Sequence, residues 1–206
     1  MMSRLANGMP RSIDSINRSR RPAIPSKISK LSLWVISVRS QPMLTHLLDA
    51  DHSGGLMHFI DTGIPVYVHD LELTNALWCL FTRADAGPYQ PSYLTHRLNW
   101  QTFNDQVTEI FPGITMHHCP GHTSGLCCMQ VDLPESGSWM FTGDQFHVKE
   151  NYTKEIPQGF LGRDRNTWFQ SLRYIQRLER VLDAKIMFGH DMGAFKEMKQ
   201  APEYYS

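Results

Sequence analysis

Residues 46–52 read His-Leu-Leu-Asp-Ala-Asp-His, so two histidines and two aspartates fall within one short run. Three later segments also set histidine or aspartate beside glycine: Pro-Gly-His-Thr at 120–123, Thr-Gly-Asp at 142–144 and Phe-Gly-His-Asp at 188–191. Tight turns at the ends of strands are where a rigid sheet can hold a side chain out into a shared cleft. The four segments are therefore predicted to meet in one site.

The residue types in these segments are those of a metal centre. Neutral imidazoles and carboxylates suit Zn²⁺ and other divalent transition ions. A single carboxylate, such as that of Asp144, can bridge two ions about 3.5–4 Å apart, as two-metal hydrolytic sites require. A lone histidine in a turn is more often a surface residue than a ligand, so the prediction depends on the four segments occurring together.

Taken in order, the four segments resemble the metal-binding motifs of the metallo-β-lactamase superfamily, and the resemblance covers about residues 43–195. Thr-Gly-Asp at 142–144 followed by Lys-Glu-Asn at 149–151 is most similar to the N-acyl-homoserine lactonase branch. The resemblance implies the α/β (α+β) fold class and an αββα sandwich with a dinuclear zinc site on one edge. It also implies hydrolysis of a lactone, or in some relatives of a lactam or thioester.

The same resemblance implies a role for each matching position. His122 is expected to bind the first metal, and Asp144 is expected to bridge the two metals. Asp51 and His52 are expected to serve the second metal, with His190 as its last ligand. Asp51 is also expected to form a hydrogen bond with the attacking water.

The first motif departs from the family pattern His-x-His-x-Asp-His. Counted back from Asp51, the second histidine position holds Asp49 and the first holds Leu47. His46 stands one residue too early, unless one leucine is an insertion. Asp49 can still ligate through oxygen. His46 can ligate only if the loop bulges, because a one-residue slip in a strand turns a side chain to the other face. The first metal site is therefore expected to be weakened.

A second departure is His147, three residues after Asp144, where the homoserine lactonases have a tyrosine that helps to polarise the substrate carbonyl. A histidine there can donate a hydrogen bond to a developing oxyanion or act as a proton donor. This change favours a substrate other than an acyl-homoserine lactone. The alternative is that His147 is an exposed loop residue.

The N-terminal segment, residues 1–40, differs from the rest of the chain because Ser, Pro and Arg dominate it and Asp14 is its only acid. It is predicted to be disordered or aberrant, with a targeting peptide as the alternative. Residues 41–206 are predicted to form the metallo-β-lactamase-like domain. With about 45 residues before the first motif, the sandwich is expected to be incomplete at the N-terminus. Either a partner or a homodimer would cover its exposed edges, or, as we favour, the chain is a truncated or mis-assembled version of a longer protein.

The composition narrows the range of partners. Lys plus Arg and Asp plus Glu both number 20, which argues against nucleic acid or an anionic membrane surface. The longest apolar run, residues 31–38, is too short to span a bilayer. The four cysteines form no C-x-x-C pair, and their use favours a reducing, cytoplasmic setting. The expected partner is a small molecule with a lactone, lactam or thioester carbonyl.

Strand and helix patterns alternate along the chain. Strands are predicted at 43–48, 65–69, 106–110, 114–117, 126–131, 139–141 and 185–188. Helices are predicted after the turn at 52–55, from a cap at Asp70 to the stop at 86–88, and from Asn166 to Leu182. Residues 84–105 are predicted to be a loop.

The leading interpretation is a zinc hydrolase with two Zn²⁺ per chain, in which a metal-activated hydroxide attacks the carbonyl of a cyclic ester or amide. The alternative is a catalytically impaired relic with weak or no metal binding. A serine hydrolase is poorly supported, because the chain has no G-x-S-x-G sequence. The sequence also lacks a nucleotide-binding P-loop and an H-E-x-x-H motif.

Overall fold

The computed structural model describes residues 50–85, 87–200 and 203–206, together with the backbone of residues 35–36 and 44–46. Most of the segment 1–40, whose disorder was predicted from the sequence, lies outside the described residues, and so does Asp49. The domain boundary at residue 40 therefore stays a prediction.

Two sheets make up the centre of the described part of the chain. Their strands are β1 (Val35–Ile36), β2 (Leu44–His46), β3 (Pro65–His69), β4 (Asn99–Phe103), β5 (Val107–Phe111), β6 (Ile114–His118), β7 (Cys127–Leu133), β8 (Gly137–Phe141) and β9 (Lys185–Met187). The first sheet has the order β1-β2-β3-β4 and the second the order β5-β6-β7-β8-β9. The pairs β2–β3, β3–β4 and β8–β9 are parallel, whereas the other neighbours are antiparallel.

Helices flank the sheets and carry the turns between them. The α-helices are α1 (Asp70–Thr82), α2 (Lys149–Thr153), α3 (Arg165–Leu182) and α4 (Met192–Lys196). Within the described residues, 3₁₀ helices lie at Ala50–His52, Gly54–Phe59, Gly143–Gln145 and Gly159–Leu161. In the part of the chain that the structure describes, no helix is long and apolar enough to cross a membrane.

The first sheet is covered by α1. Ala76 and Cys79 of α1 and Val66 and Val68 of β3 are buried in one apolar cluster. Since β3 alternates its side chains between two faces, its other face is free to meet the second sheet.

The second sheet is covered on both faces, because alternate side chains of β7 pack into two different apolar clusters. Met129 and its alternating neighbours belong to a cluster that includes Phe103 of the first sheet. Cys128 points to the opposite face and packs with Trp168 and Leu172 of α3. The layers therefore run helix, sheet, sheet, helix, which confirms the αββα sandwich predicted from the sequence.

The strand pattern was predicted well where it depends on apolar residues. All predicted strands from residue 65 onward are present, within two or so residues at their ends. The predicted loop over residues 84–105 is wrong at its end, because β4 lies there and pairs with β3 from Pro65 to His69. The sequence Asn-Trp-Gln-Thr-Phe of β4 is mainly exposed, so it lacks the apolar alternation that identifies a strand.

The predicted bounds of α1 also need correction. Its N-cap is His69, whose side chain accepts a hydrogen bond from the backbone N–H of Leu71, rather than Asp70. The helix ends at Thr82, before the predicted stop at 86–88, because Arg83 adopts the left-handed conformation with φ 58°. The turn at 52–55 leads into a 3₁₀ helix rather than an α-helix.

Candidate metal centre

A buried glutamate forms a hydrogen bond with the backbone of the turn that carries Asp51 and His52. Glu72 of α1 is fully buried, and its Oε1 accepts a hydrogen bond of 2.8 Å from the backbone N–H of Ala50. Its Oε2 accepts a hydrogen bond from the hydroxyl of Thr123, the residue after His122. One carboxylate thus ties the first-motif turn to the second-motif turn.

The turn that carries His122 packs tightly against α3. Gly121 has φ 148°, and a Cβ there would lie 2.6 Å from Cα of Trp168, so the close approach requires glycine. Nδ1 of His122 lies 2.9 Å from the carbonyl oxygen of Leu161. Because a carbonyl can only accept, Nδ1 donates, which leaves Nε2 directed toward the centre.

The turns that carry Asp144 and His190 are brought together by the parallel pairing of β8 with β9. Asp144 lies in the 3₁₀ helix after β8 and is buried. A Cβ on Gly189 would lie 2.5 Å from the carbonyl oxygen of Gly143, so this approach also requires glycine. The backbone N–H of His190 donates to the carbonyl of His147 at 2.8 Å.

These turns create two groups of three ligand-type residues that share Asp144. In the first group, Oδ2 of Asp144 lies 3.1 Å from Nε2 of His147 and 3.7 Å from Nε2 of His122. In the second group, Asp144 contacts Nδ1 of His52 at 3.8 Å through Oδ2 and Nε2 of His190 at 2.9 Å through Oδ1. Within each group the ligand atoms all lie within 4.8 Å of one another.

Asp51 lies between the two groups. Its Oδ2 is 3.3 Å from Nε2 of His122, and its Oδ1 is 3.5 Å from Nδ1 of His52. Burial by itself raises the pKa of Asp51, but the hydrogen bond with His122, the close contact with His52 and the positive charge of both rings outweigh it and hold the pKa well below its usual range. The carboxylate is therefore ionised at neutral pH.

The same balance applies to Asp144. Burial raises the pKa of its carboxyl group, whereas the close contact with Nε2 of His147 and the positive charges of His52, His147 and His122 lower it by more. The centre therefore combines two ionised carboxylates with a ring of imidazoles.

This donor set fits a pair of divalent metal ions. Two buried polar atoms at the centre, Oδ1 of Asp51 and Nε2 of His147, have no hydrogen-bond partner among the described residues. An unpaired buried polar atom costs about 1–3 kcal/mol, and bound cations would remove this cost at both atoms. Imidazole nitrogens and carboxylate oxygens are the ligands that zinc takes in proteins.

The structure brings six of the residues singled out from the sequence into one cluster, and they are Asp51, His52, His122, Asp144, His147 and His190. The side chain of His147 is 20% exposed, so the alternative of an exposed loop residue is wrong. The backbone of His46 ends β2 opposite Tyr67. The side chain of His46 and the whole of Asp49 lie outside the described residues, so their roles as ligands stay predictions.

Three other histidines have structural roles. His117 was expected to be a strand residue rather than a ligand, and its ring nitrogens contact the hydroxyl of Tyr174 at 2.8 Å and Oε1 of Gln130 at 3.0 Å. His69 caps α1 and stacks on His118 with ring centroids 4.0 Å apart. None of the three belongs to either group of ligand-type residues found in the described chain.

Two positioning groups were missed from the sequence. Glu72 carried a usable signal, because a glutamate on the core-facing side of an amphipathic helix needs a buried partner. The carbonyl of Leu161, which orients His122, gave no signal in the sequence. Every residue has a carbonyl, and only the folded loop brings this one to His122.

The comparisons with known proteins agree with this geometry. Residues 43–190 match the metallo-beta-lactamase superfamily. The chain belongs to this superfamily. Its relatives include the N-acyl homoserine lactonase AiiA of Bacillus thuringiensis subsp. kurstaki, which is 29% identical over 157 residues, covering 76% of this chain and 58% of the relative. The N-acyl homoserine lactonase AttM of Rhizobium johnstonii is 30% identical over 170 residues, covering 77% of this chain and 61% of the relative.

Among solved structures, an N-acyl homoserine lactone hydrolase with the product N-hexanoyl-L-homoserine bound at its catalytic metal centre superposes with a TM-score of 0.67. It is 26% identical, and the match covers 77% of this chain and 60% of that one. This superfamily member therefore spans about three fifths of the length of the lactonases that it matches.

Proposed function

We propose that this metallo-β-lactamase superfamily member is a zinc-dependent hydrolase that opens a lactone with a metal-activated water. The observation that carries the proposal is the sharing of buried Asp144 by two groups of histidines. Two-metal hydrolytic sites hold their ions about 3.5–4 Å apart, a spacing that a single bridging carboxylate supports.

Zinc is the metal that the donor set favours. Asp144 is surrounded by four imidazoles, those of His52, His122, His147 and His190. Mg²⁺ and Ca²⁺ prefer oxygen ligands, whereas imidazole suits zinc and its transition-metal neighbours. We therefore expect two Zn²⁺ per chain.

When bound, zinc supplies Lewis acidity, which polarises a carbonyl and makes water a nucleophile near neutral pH. The chain's own residues prepare the site for this chemistry. Oδ1 of Asp51 is buried without a hydrogen-bond partner in the described chain and can accept a hydrogen bond from the attacking water, which orients it. The carbonyl of Leu161 fixes the tautomer of His122, and Glu72 fixes the turns on which Asp51 and His122 lie.

A lactone is the substrate class that the relatives support. The lactonases AiiA and AttM are named for N-acyl homoserine lactones, and both match more than three quarters of this chain. His147 in place of the tyrosine leads us to expect a lactone with a different substituent from an acyl-homoserine lactone. The cytoplasmic location and the homodimer stay predictions.

The experiment combines metal content with a substrate panel. The full chain would be freed of metal with a chelator, reloaded with zinc and measured by elemental analysis, and a His58→Asn variant would serve as a control because His58 is exposed. The loaded protein would then be tested on simple lactones, acyl-homoserine lactones, a β-lactam and a thioester, with ring opening followed by proton release. We expect about two zinc ions per chain and lactone hydrolysis that chelation abolishes.

Two results would contradict the proposal in different ways. A chain without bound zinc would support the alternative of an impaired relic. A zinc-loaded chain that hydrolyses only the β-lactam or the thioester would leave the metal centre in place but replace the substrate class.

A further inference from the structure

The first metal group has an unusual member. In the family pattern given by the resemblance, the first motif contributes two histidines, and here those positions hold Leu47 and Asp49. We propose that His147 is a direct ligand of the first metal, so that this chain builds its first site from His122, Asp144 and His147. The inference rests on the proposed function, since it requires a metal in the first group.

The distances within the group are those of ligands around one ion. Zn–N and Zn–O bonds of about 2.0–2.2 Å at a tetrahedral angle set neighbouring ligand atoms about 3.3–3.5 Å apart. Oδ2 of Asp144 lies 3.1 Å from Nε2 of His147 and 3.7 Å from Nε2 of His122. These separations lie on either side of the expected value, so small side-chain adjustments would accommodate an ion.

The contact between His147 and Asp144 is not a hydrogen bond. Although the two atoms are close, Nε2 of His147 has no hydrogen-bond partner among the described residues. A nitrogen that is buried, close to a carboxylate and yet not hydrogen-bonded is placed as a metal ligand would be. This assignment replaces the role of proton donor predicted from the sequence, because Nε2 faces the shared carboxylate rather than a substrate.

The backbone holds His147 in this position from two sides. Its carbonyl accepts the backbone N–H of His190 at 2.8 Å, which links it to a member of the second group. The next residue, Val148, donates its N–H to the side chain of Asn151 at 2.9 Å, and Asn151 is buried. The preceding residue, Phe146, is fully buried against Trp168. A ligand on such a support holds its geometry without the metal.

The first group supplies as many protein ligands as a catalytic zinc site takes. Catalytic zinc sites take three ligands from the protein and leave a fourth position for water or substrate. His122, Asp144 and His147 supply these three. The site therefore needs neither His46 nor a restored first motif, and the shift in the first motif does not by itself exclude activity.

The test measures metal binding rather than activity. Full-length wild type, His147→Asn, His147→Gly and the control His58→Asn would be compared for zinc per chain, zinc dissociation constants and the visible absorption of bound Co²⁺. Loss of a positioning partner lowers metal affinity about 10–100-fold. We expect His147→Asn to exceed that loss at one site, and added imidazole to restore that site in His147→Gly. The Co²⁺ spectrum should lose the contribution of that site only.

The outcomes separate this inference from the proposed function. If His147→Asn and His147→Gly both keep two zinc ions at wild-type affinity, His147 is not a ligand, although the metal-dependent function stands. If wild type binds no zinc, the proposed function fails and the inference fails with it. Should His147→Asn be poorly folded by circular dichroism, the imidazole rescue of His147→Gly still decides whether a ring at this position binds metal.

Discussion

Thr123 donates a hydrogen bond from its hydroxyl to Oε2 of Glu72, and both side chains are buried. The other oxygen of Glu72 accepts the backbone N–H of Ala50. Two turns that are 71 residues apart in sequence, those of Asp51 and His122, are thus held by one carboxylate on α1. This link lies outside the metal groups and joins a turn that carries a residue of one group, His52, to a turn that carries a residue of the other, His122.

We predict that Glu72→Ala weakens both stability and zinc binding. The substitution leaves the hydroxyl of Thr123 and the N–H of Ala50 buried without this acceptor, at a cost of about 1–3 kcal/mol for each group. Because the two turns lose their common support, zinc affinity should fall about 10–100-fold. Chemical denaturation and zinc titration would measure the two effects.

Two variants control this prediction. Glu72→Gln keeps one carbonyl oxygen as an acceptor and should lose less stability than Glu72→Ala. Glu197→Gln changes an exposed glutamate and should behave as wild type. Equal zinc affinity in Glu72→Ala and wild type would show that the link does not position the ligands.

We predict that Gly125→Ala is strongly destabilising. A Cβ at Gly125 would lie 2.0 Å from the backbone nitrogen of Glu72, so α1 or the loop after His122 must move. Overpacking of this kind costs about 1–3 kcal/mol, occasionally more. Gly87→Ala is the matched control, because no heavy atom lies within 4 Å of its new Cβ. A melting temperature of Gly125→Ala at or above that of Gly87→Ala would contradict the packing described.

We predict that buried His117 makes the metal-free protein less stable as the pH falls. Burial lowers the pKa of His117, although its hydrogen bond with Gln130 acts in the opposite direction. Below the unfolded-state value of about 6.5, the unfolded chain takes up a proton before the folded one. Stability is therefore lost as the pH falls from that value to the folded-state pKa, by at most about 1.4 kcal/mol per pH unit.

His117→Gln removes this group while keeping a polar side chain beside Tyr174. Urea denaturation of both proteins with a chelator present, between about pH 7 and pH 5, should show a smaller loss of stability in the variant. Parallel pH profiles would mean that His117 takes up its proton equally well in the folded and unfolded chains.

We predict that zinc stabilises the fold as well as completing the site. A ligand at 100 times its dissociation constant adds about 2.7 kcal/mol for each site that it occupies. For a chain of this size, that corresponds to a rise in melting temperature of about 5–10 °C. His190→Asn should show a smaller rise, because the second group loses a ligand. Mg²⁺ should have little effect, and melting temperatures that are equal with zinc and with chelator would count against a zinc site.

The sequence predicted the elements whose signal is local. The strands β3, β6, β7 and β8 carry apolar runs, and periodicity of this kind comes from burial on one or both faces. The exposed strand β4 has no such signal and forms because β3 offers it a parallel edge. Likewise, α1 ends earlier than predicted because Arg83 adopts a left-handed conformation. An arginine does not indicate this conformation in the sequence, as a glycine would.

The sequence by itself determined which residues can form the centre, because histidines, aspartates and the glycines beside them are local features of four short segments. Only the tertiary structure decided how they are shared out between two groups. That division depends on distances across the fold, such as the 3.1 Å between His147 and Asp144. Those distances are set by the parallel pairing of β8 with β9 and by the buried link from Glu72 to Thr123, which no spacing along the chain encodes.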